Sequence, residues 1–172
     1  METIAFYREP IIKTYGFLEK TGLCLVTVEF PYTQLSDWGD DCLDLPSRLG
    51  VSLLLLIARP VSENTMRLHL LLDKTLAEMM QENTFQAFPA ELQGRWGIEQ
   101  PVELIYFHGP HFGDRYGIAS AALTALTSNE IPILAVACTG SSVYLIVPGG
   151  KAFPAREALG QAFMTPERDQ RE

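Results

Sequence analysis

The sequence has little of what most directly announces a chemistry. Its 172 residues include three cysteines, three histidines and two tryptophans. Cys24, Cys42 and Cys138 are an odd number without metal-ligand spacing, which argues against a disulfide framework or a zinc module, and the apolar surroundings of Cys24 and Cys138 mark them as reduced core residues. No Gly-x-Ser-x-Gly elbow occurs and no cysteine has a histidine partner close in sequence. Pro148-Gly149-Gly150-Lys151 lacks the flanking spacing of a phosphate-binding loop and reads as a turn into the last helix. Long apolar runs are missing too. Val51 to Ala58 is less than half of the roughly twenty residues that span a bilayer, and Thr139-Gly140-Ser141-Ser142 cuts Ile131 to Val147 in two. Met1-Glu2-Thr3-Ile4-Ala5 shows neither a basic start nor an apolar stretch with a small-residue cleavage site, so no signal peptide is expected and a cytoplasmic location is. Positive charge is in the minority. Thirteen Lys and Arg against twenty-one Asp and Glu leave a formal charge of −8, which repels phosphate backbones and anionic lipid, so neither nucleic acid nor a membrane is an expected partner.

What is present is the composition of a globular protein, 47% apolar, 20% charged and 10% aromatic, enough to bury about 70% of the unfolded surface in one large domain or two small ones. Leu23 to Phe30 places Val26, Val28 and Phe30 on one face and Thr27 and Glu29 on the other, the pattern of a strand. Leu35, Trp38, Cys42 and Leu45 then recur at helical spacing up to Pro46, with Ser36 as cap and Asp37, Asp40 and Asp41 in the first turns. Ser52 to Ala58 reads as a strand apolar on both faces, Pro60 to Asn64 as a turn, and Thr65 to Leu72 as a half-exposed strand. Asp73 can cap a second helix carrying Leu76, Met79 and Met80.

The second half repeats this order. Val102 to Phe107 is a strand, Gly117 to Ser128 an alanine-rich helix, Ile131 to Ala137 and Ser142 to Val147 two strands, and Lys151 to Met164 a helix with Ala155, Leu159, Ala162 and Phe163 inward. Each half spells strand, helix, strand, strand, helix. A closing strand is missing from each, and Ile11 to Phe17 and Phe85 to Trp96 are the candidates. The expected fold class is α+β, with two ferredoxin-like units of order βαββαβ, antiparallel sheets and both helices on one face. The expected domains are an N-terminal unit over residues 1–100, a C-terminal unit over 101–164 and a charged tail over 165–172. A strand such as Leu53 to Ile57, apolar on both sides, needs covering by the other repeat, by a sheet joined edge to edge, or by a second subunit, and a homodimer is expected.

The most informative stretch is the second unit's loop from first strand to first helix, His108-Gly109-Pro110-His111-Phe112-Gly113-Asp114-Arg115-Tyr116-Gly117-Ile118-Ala119. Gly109 and Gly113 permit positive φ and close approach of a ligand to backbone, and Asp114 is placed to cap a helix starting near Arg115. Free amides of that first turn make a carboxylate site, and a tight turn that binds nothing is the plain alternative.

Gly113-Asp114-Arg115-Tyr116-Gly117-Ile118-Ala119, the small-residue helix after it, Asn129-Glu130-Ile131-Pro132-Ile133-Leu134, and Ser141 to Val147 together resemble an ACT domain, the small-molecule-sensing module attached to aspartokinases and other enzymes of amino-acid metabolism. Asp114, Gly117 and Ile118 occupy the family's D-x-x-G-x-x element. Tyr116 stands where a proline is common. The likeness covers about Val102 to Phe163; it reaches Leu23 to Met80 through element order alone, because Pro31-Tyr32-Thr33-Gln34 carries no glycine and no matching aspartate. The resemblance implies that two such units associate side by side and hold an amino acid against Gly113, Asp114, Arg115, Tyr116, Gly117 and Ile118 and the facing Ile133, Leu134 and Ala135. It implies an allosteric regulatory module without catalysis or cofactor, serving a metabolic enzyme. A structural module assembling with such an enzyme, without ligand, is the alternative.

Other constellations are less specific. His108, His111 and Asp114 have the spacing of a metal site but no fourth ligand, so exposed loop histidines are the simpler reading. His69 reads as exposed on a polar strand face. Asp37, Asp40, Asp41 and Asp44 at helical spacing read as a solvated acidic face, and Glu29 and Glu103 show no pairing suited to acid–base chemistry.

Overall fold

The computed structural model describes residues 11–36, 52–73 and 96–165. Its strands are β1 (Ile12–Lys13), β2 (Phe17–Pro31), β3 (Leu53–Ser62), β4 (Thr65–Leu72), β5 (Trp96–His108), β6 (Ala135–Cys138), β7 (Ser142–Pro148) and β8 (Phe163–Met164), with helices α1 (Ile118–Ser128) and α2 (Ala152–Ala162). The expected helices built on Trp38 to Leu45 and on Leu76 to Met80 lie outside the described residues, as do Cys42, Phe85 to Arg95 and the end of the chain from Pro166.

Contacts divide the chain into two compact units. One is Gly22–Val102; the other joins the described residues up to Thr21 to those from Glu103 onward. In the Gly22–Val102 unit the strand order is β3-β4-β2-β5, with β4 antiparallel to both β3 and β2. The alternation seen in the sequence sets the register. Val26, Val28, Phe30, Met66, Leu68 and Leu70 are buried and share one face, while the other carries the cross-strand rows Ile57, His69, Thr27 and Arg59, Arg67, Glu29. His69 is half-buried rather than exposed, because its Nδ1 lies 3.1 Å from the Thr27 hydroxyl on the next strand. Pro60, expected in a turn, continues β3; an edge strand tolerates a residue without an N–H. That edge position also leaves Leu56 43% exposed.

In the other unit the order is β2-β5-β7-β6, with β6 antiparallel to β7. Ile105 and Phe107 of β5 and Val143, Leu145 and Val147 of β7 face Ile118, Ala122 and Leu126 of α1 and Ala155 and Leu159 of α2 in one buried cluster, so both helices cover one face of the sheet. Numbered from β5, this is the strand order 4-1-3-2 of a ferredoxin-like unit, with the fourth place taken by Phe17–Thr21 of β2. The Gly22–Val102 unit reads 2-3-1-4, the same order from the opposite edge, with the residues from Trp96 closing it. The closing strands thus begin where the two sequence candidates end, at Phe17 and at Trp96.

Three boundaries differ from expectation for local reasons. Ile131 to Leu134 precede β6 instead of forming it: Glu130 takes φ 54°, the Ile131 N–H returns to the carbonyl of Leu126 at the end of α1, and Pro132 has no N–H for a ladder. The last helix stops at Ala162, and Phe163–Met164 pair in parallel with Ile12–Lys13. Of the candidate strand Ile11 to Phe17, only Ile12–Lys13 belong to β1. Thr14 ends the ribbon, its N–H donating to the carbonyl of Met164 at 2.8 Å and its hydroxyl to the carbonyl of His108 at 2.7 Å. Aromatic packing ties these segments together, with Phe107 5.1 Å from Phe17 and 4.9 Å from Phe163, ring centre to ring centre.

Candidate functional site

The loop from β5 to α1 is shaped by two close approaches and two left-handed residues. A Cβ on Gly109 would collide with the carbonyl of Lys13 and the ring of Phe112, and one on Gly113 would sit 3.0 Å from the carbonyl of Gly140. Gly109 is therefore required by crowding, and Gly113 is tightly placed. The positive φ expected of them falls instead on His111, at 59°, and Gly117, at 88°. Phe112 is buried edge-on against Phe107 at 6.0 Å, anchoring a one-turn 3-10 segment, Phe112–Asp114.

The sequence expectation that Asp114 caps the helix is not met. Asp114 belongs to the 3-10 turn, where its N–H donates to the carbonyl of His111 at 3.1 Å, and α1 begins four residues later, at Ile118, with Gly117 as N-cap. Among the described residues no side chain caps α1, and its first turn has no acidic residue. The first intrahelical bond runs from the Ala121 N–H to the Gly117 carbonyl at 2.9 Å. The preceding amides, of Ile118, Ala119 and Ser120, point out of the helix end, where the helix dipole favours negative charge. Nothing lies within 4 Å of a Cβ built on Gly117, so this end is open.

The nine sequence-predicted residues fall into two groups: Gly113 to Ile118 lead into α1, and Ile133 to Ala135 follow its other end. Ile118 is buried in the core cluster and Ile133 packs against that cluster. Leu134 donates its N–H to the Ile146 carbonyl at 2.8 Å, and Ala135 opens β6, the outermost strand of this unit. Gly113 lies against the β6–β7 turn. Tyr116 is 85% exposed and the Asp114 side chain is exposed too. Arg115 turns back along the chain, its guanidinium donating to the carbonyl of Ile11 at 2.9 Å, so it braces the segment before β1.

Sequence reasoning missed two neighbours of the loop. Through Gly140, the hydroxyl-rich turn Thr139–Ser142 stands beside Gly113; Thr139 Oγ1 accepts the N–H of Ser142 at 3.0 Å and that of Ser141 at 3.3 Å. Thr14, the buried polar residue under His108, is 94 positions away in sequence, and no local pattern could have paired them. Glu103 also has a role the sequence did not reveal: its Oε2 accepts the Ala152 N–H at 2.6 Å and so caps α2.

The chemistry available here is recognition. His111 and Asp114 stand 3.7 Å apart with both side chains at least half exposed, and His108 lies against the ring of Tyr15 at 5.3 Å. Among the described residues no three His, Cys, Asp or Glu side chains gather as metal ligands. A separate cleft of about 550 Å³, lined by Ile11 and the residues from Gly160 to Thr165, includes none of the predicted site residues and offers no charged side chain to a zwitterion.

No protein-family model matches the sequence, and no curated protein matches it. Solved structures do. The ligand-free regulatory subunit of aspartate kinase from Thermus thermophilus superposes with a TM-score of 0.70 at 14% identity, over 87% of this chain and 98% of that one. The aspartate kinase of Clostridium acetobutylicum gives 0.67 at 17% identity, over 91% of this chain and 36% of the enzyme. E. coli aspartokinase III in complex with lysine and aspartate gives 0.60 at 16% identity, over 92% of this chain and 35% of that one. At such identities the likeness establishes a shared fold: this chain has the ACT-like fold of the Thermus regulatory subunit, over nearly the whole of that subunit.

Proposed function

We propose that the chain is a non-catalytic regulatory module of two ACT-like units that binds an amino acid or similar small metabolite and transmits occupancy to an associated metabolic enzyme. The observation that carries this reading is the uncapped start of α1. Three outward amides follow a left-handed Gly117 with open space around it, in the loop whose Gly113 lies against the Thr139–Ser142 turn. A ligand carboxylate fits those amides, and neighbouring backbone carbonyls suit an ammonium, so a zwitterion needs no charged pocket. The −8 net charge is compatible with such a ligand.

The fold likeness supports the regulatory half of the reading. The Thermus chain matched end to end is a regulatory subunit, and E. coli aspartokinase III was solved with two amino acids. The matching strand orders of the two units support duplication. Only the loop after β5 has the motif glycines, so this reading puts the ligand site there and none in the Gly22–Val102 unit. Because ligand and association share an interface in this reading, occupancy shifts the association equilibrium, and the working species is a homodimer or an enzyme complex.

Thermal-shift and calorimetric screening against the twenty common amino acids tests it. One or a few should stabilise the protein, and Gly117→Val should abolish that response while the protein still melts cooperatively. Silence across the panel at millimolar concentration, together with co-purification of a metabolic enzyme, would leave a purely structural module as the better description.

A further inference from the structure

The second face of the Gly22–Val102 sheet carries an arrangement that the amino-acid reading does not use. Arg59 of β3 and Arg67 of β4 are direct register partners, which sets their Cβ atoms about 5 Å apart on one face. Like charges directly opposite each other on neighbouring strands are unfavourable. Only Arg67 is compensated: its Nε donates to Glu29 Oε1 at 2.8 Å and its Nη2 reaches the same oxygen. Among the described residues Arg59 has no carboxylate partner and is exposed. In a chain with a net charge of −8, two adjacent guanidiniums beside a single carboxylate, which pairs with Arg67 alone, make a local excess of positive charge.

His69 lies in the next row of the same face, between Ile57 and Thr27. Its Nδ1 is engaged by the Thr27 hydroxyl at 3.1 Å, so when Nδ1 accepts that hydrogen bond the ring's Nε2 carries the proton and is a donor. Burial first, and then Arg59 and Arg67, hold its pKa below the ordinary 6.5. The groups facing it among the described residues are Thr27 and Glu29 from β2, Arg67 from its own strand and Arg59 from β3. Two forked donors and an imidazole N–H on one face, with too few carboxylates, are what a planar or tetrahedral oxyanion needs.

We propose that this face is an anion site at which Arg59, Arg67 and His69 bind a small dianion bearing carboxylate or phosphoryl oxygens. The site is independent of the loop after β5, lies in the unit without the motif glycines, and stands or falls apart from the amino-acid reading. An anion bridging the two guanidiniums removes their repulsion and restores the histidine's basicity, so His69 reports occupancy directly.

The test is NMR titration of the rings of His69, His108 and His111 in sodium chloride, sodium sulfate and sodium succinate at matched ionic strength. In chloride His69 should titrate below 6.5. In sulfate or succinate it should rise by about half a unit or more, with His108 and His111 unmoved. A response to sulfate alone assigns a phosphoryl-type ligand, and one to succinate alone assigns a carboxylate. Arg59→Gln, at an exposed position, should raise the His69 value in chloride and erase the difference between salts. Identical His69 titrations in all three salts, equal shifts of all three histidines, or an anion response that survives in Arg59→Gln would each overturn the proposal.

Discussion

Replacing Gly109 by alanine puts a methyl group where the carbonyl of Lys13 and the ring of Phe112 already are. Neither neighbour is a flexible side-chain tip. Lys13 is backbone of β1, held by the pairing with Met164, and Phe112 is wedged against Phe107. Overpacking of this kind costs about 1–3 kcal/mol. If the Ile12–Thr14 segment yields, the buried Thr14 hydroxyl also loses its acceptor on His108, for about 1–2 kcal/mol more. The total is about 2–5 kcal/mol, and at roughly 2–4 °C per kcal/mol for a chain of this size the melting temperature should fall by about 4–20 °C. Gly117→Ala is the control. Its site is open, so it suffers only the left-handed backbone, about 1–2 kcal/mol. Differential scanning calorimetry of both variants and of Thr14→Val ranks the terms. Gly109→Ala melting within about 2 °C of the parent, or Gly117→Ala being the more damaging, would refute the crowding argument.

Glu103→Ala removes the acceptor of the Ala152 N–H and should destabilise the chain by about 1 kcal/mol, read as a lower urea midpoint, with Glu103→Gln falling between. Iodoacetamide labelling followed by peptide mapping should modify exposed Cys138 well before Cys24, whose thiol burial pushes up to about 11; equal rates in the folded protein would contradict the buried position. His69 has a folded pKa below its unfolded one, so the unfolded chain holds more protons between the two values. Its contribution is therefore fully present above 6.5 and lost as the pH falls toward the folded value. His69→Gln should flatten the fall of the urea midpoint from about pH 7 to about pH 5, and an unchanged slope would remove His69 as its source.

The sequence was most legible where one residue serves one purpose. In β4, Met66, Leu68 and Leu70 alternate with Arg67 and His69, and the strand runs as the alternation says. α1 was legible from its small-residue stripe. β2 and β5 were legible over one part each, because the division between units falls inside both. Phe17 to Thr21 mixes Glu19 and Lys20 with Phe17 and Leu18, and Trp96 to Pro101 holds Gly97, Glu99, Gln100 and Pro101, so neither stretch alternates. Their strand character comes from partners distant in sequence. At the loop, the motif glycines were visible as glycines, but which were crowded and which left-handed was decided by Lys13, Gly140 and Phe112 in three dimensions.

The unit that contains the loop is assembled from the two ends of the chain, while the residues between form a unit of their own. On the ribosome, Gly22–Val102 can therefore finish before its neighbour has all its strands, and Phe17 to Thr21 must wait for β5 and everything after it. Late steps of this kind close long loops and are slow. It also inverts the usual meaning of a terminal deletion: trimming the start of this chain strips strands from the unit encoded last, taking the support of the β5–α1 loop with it.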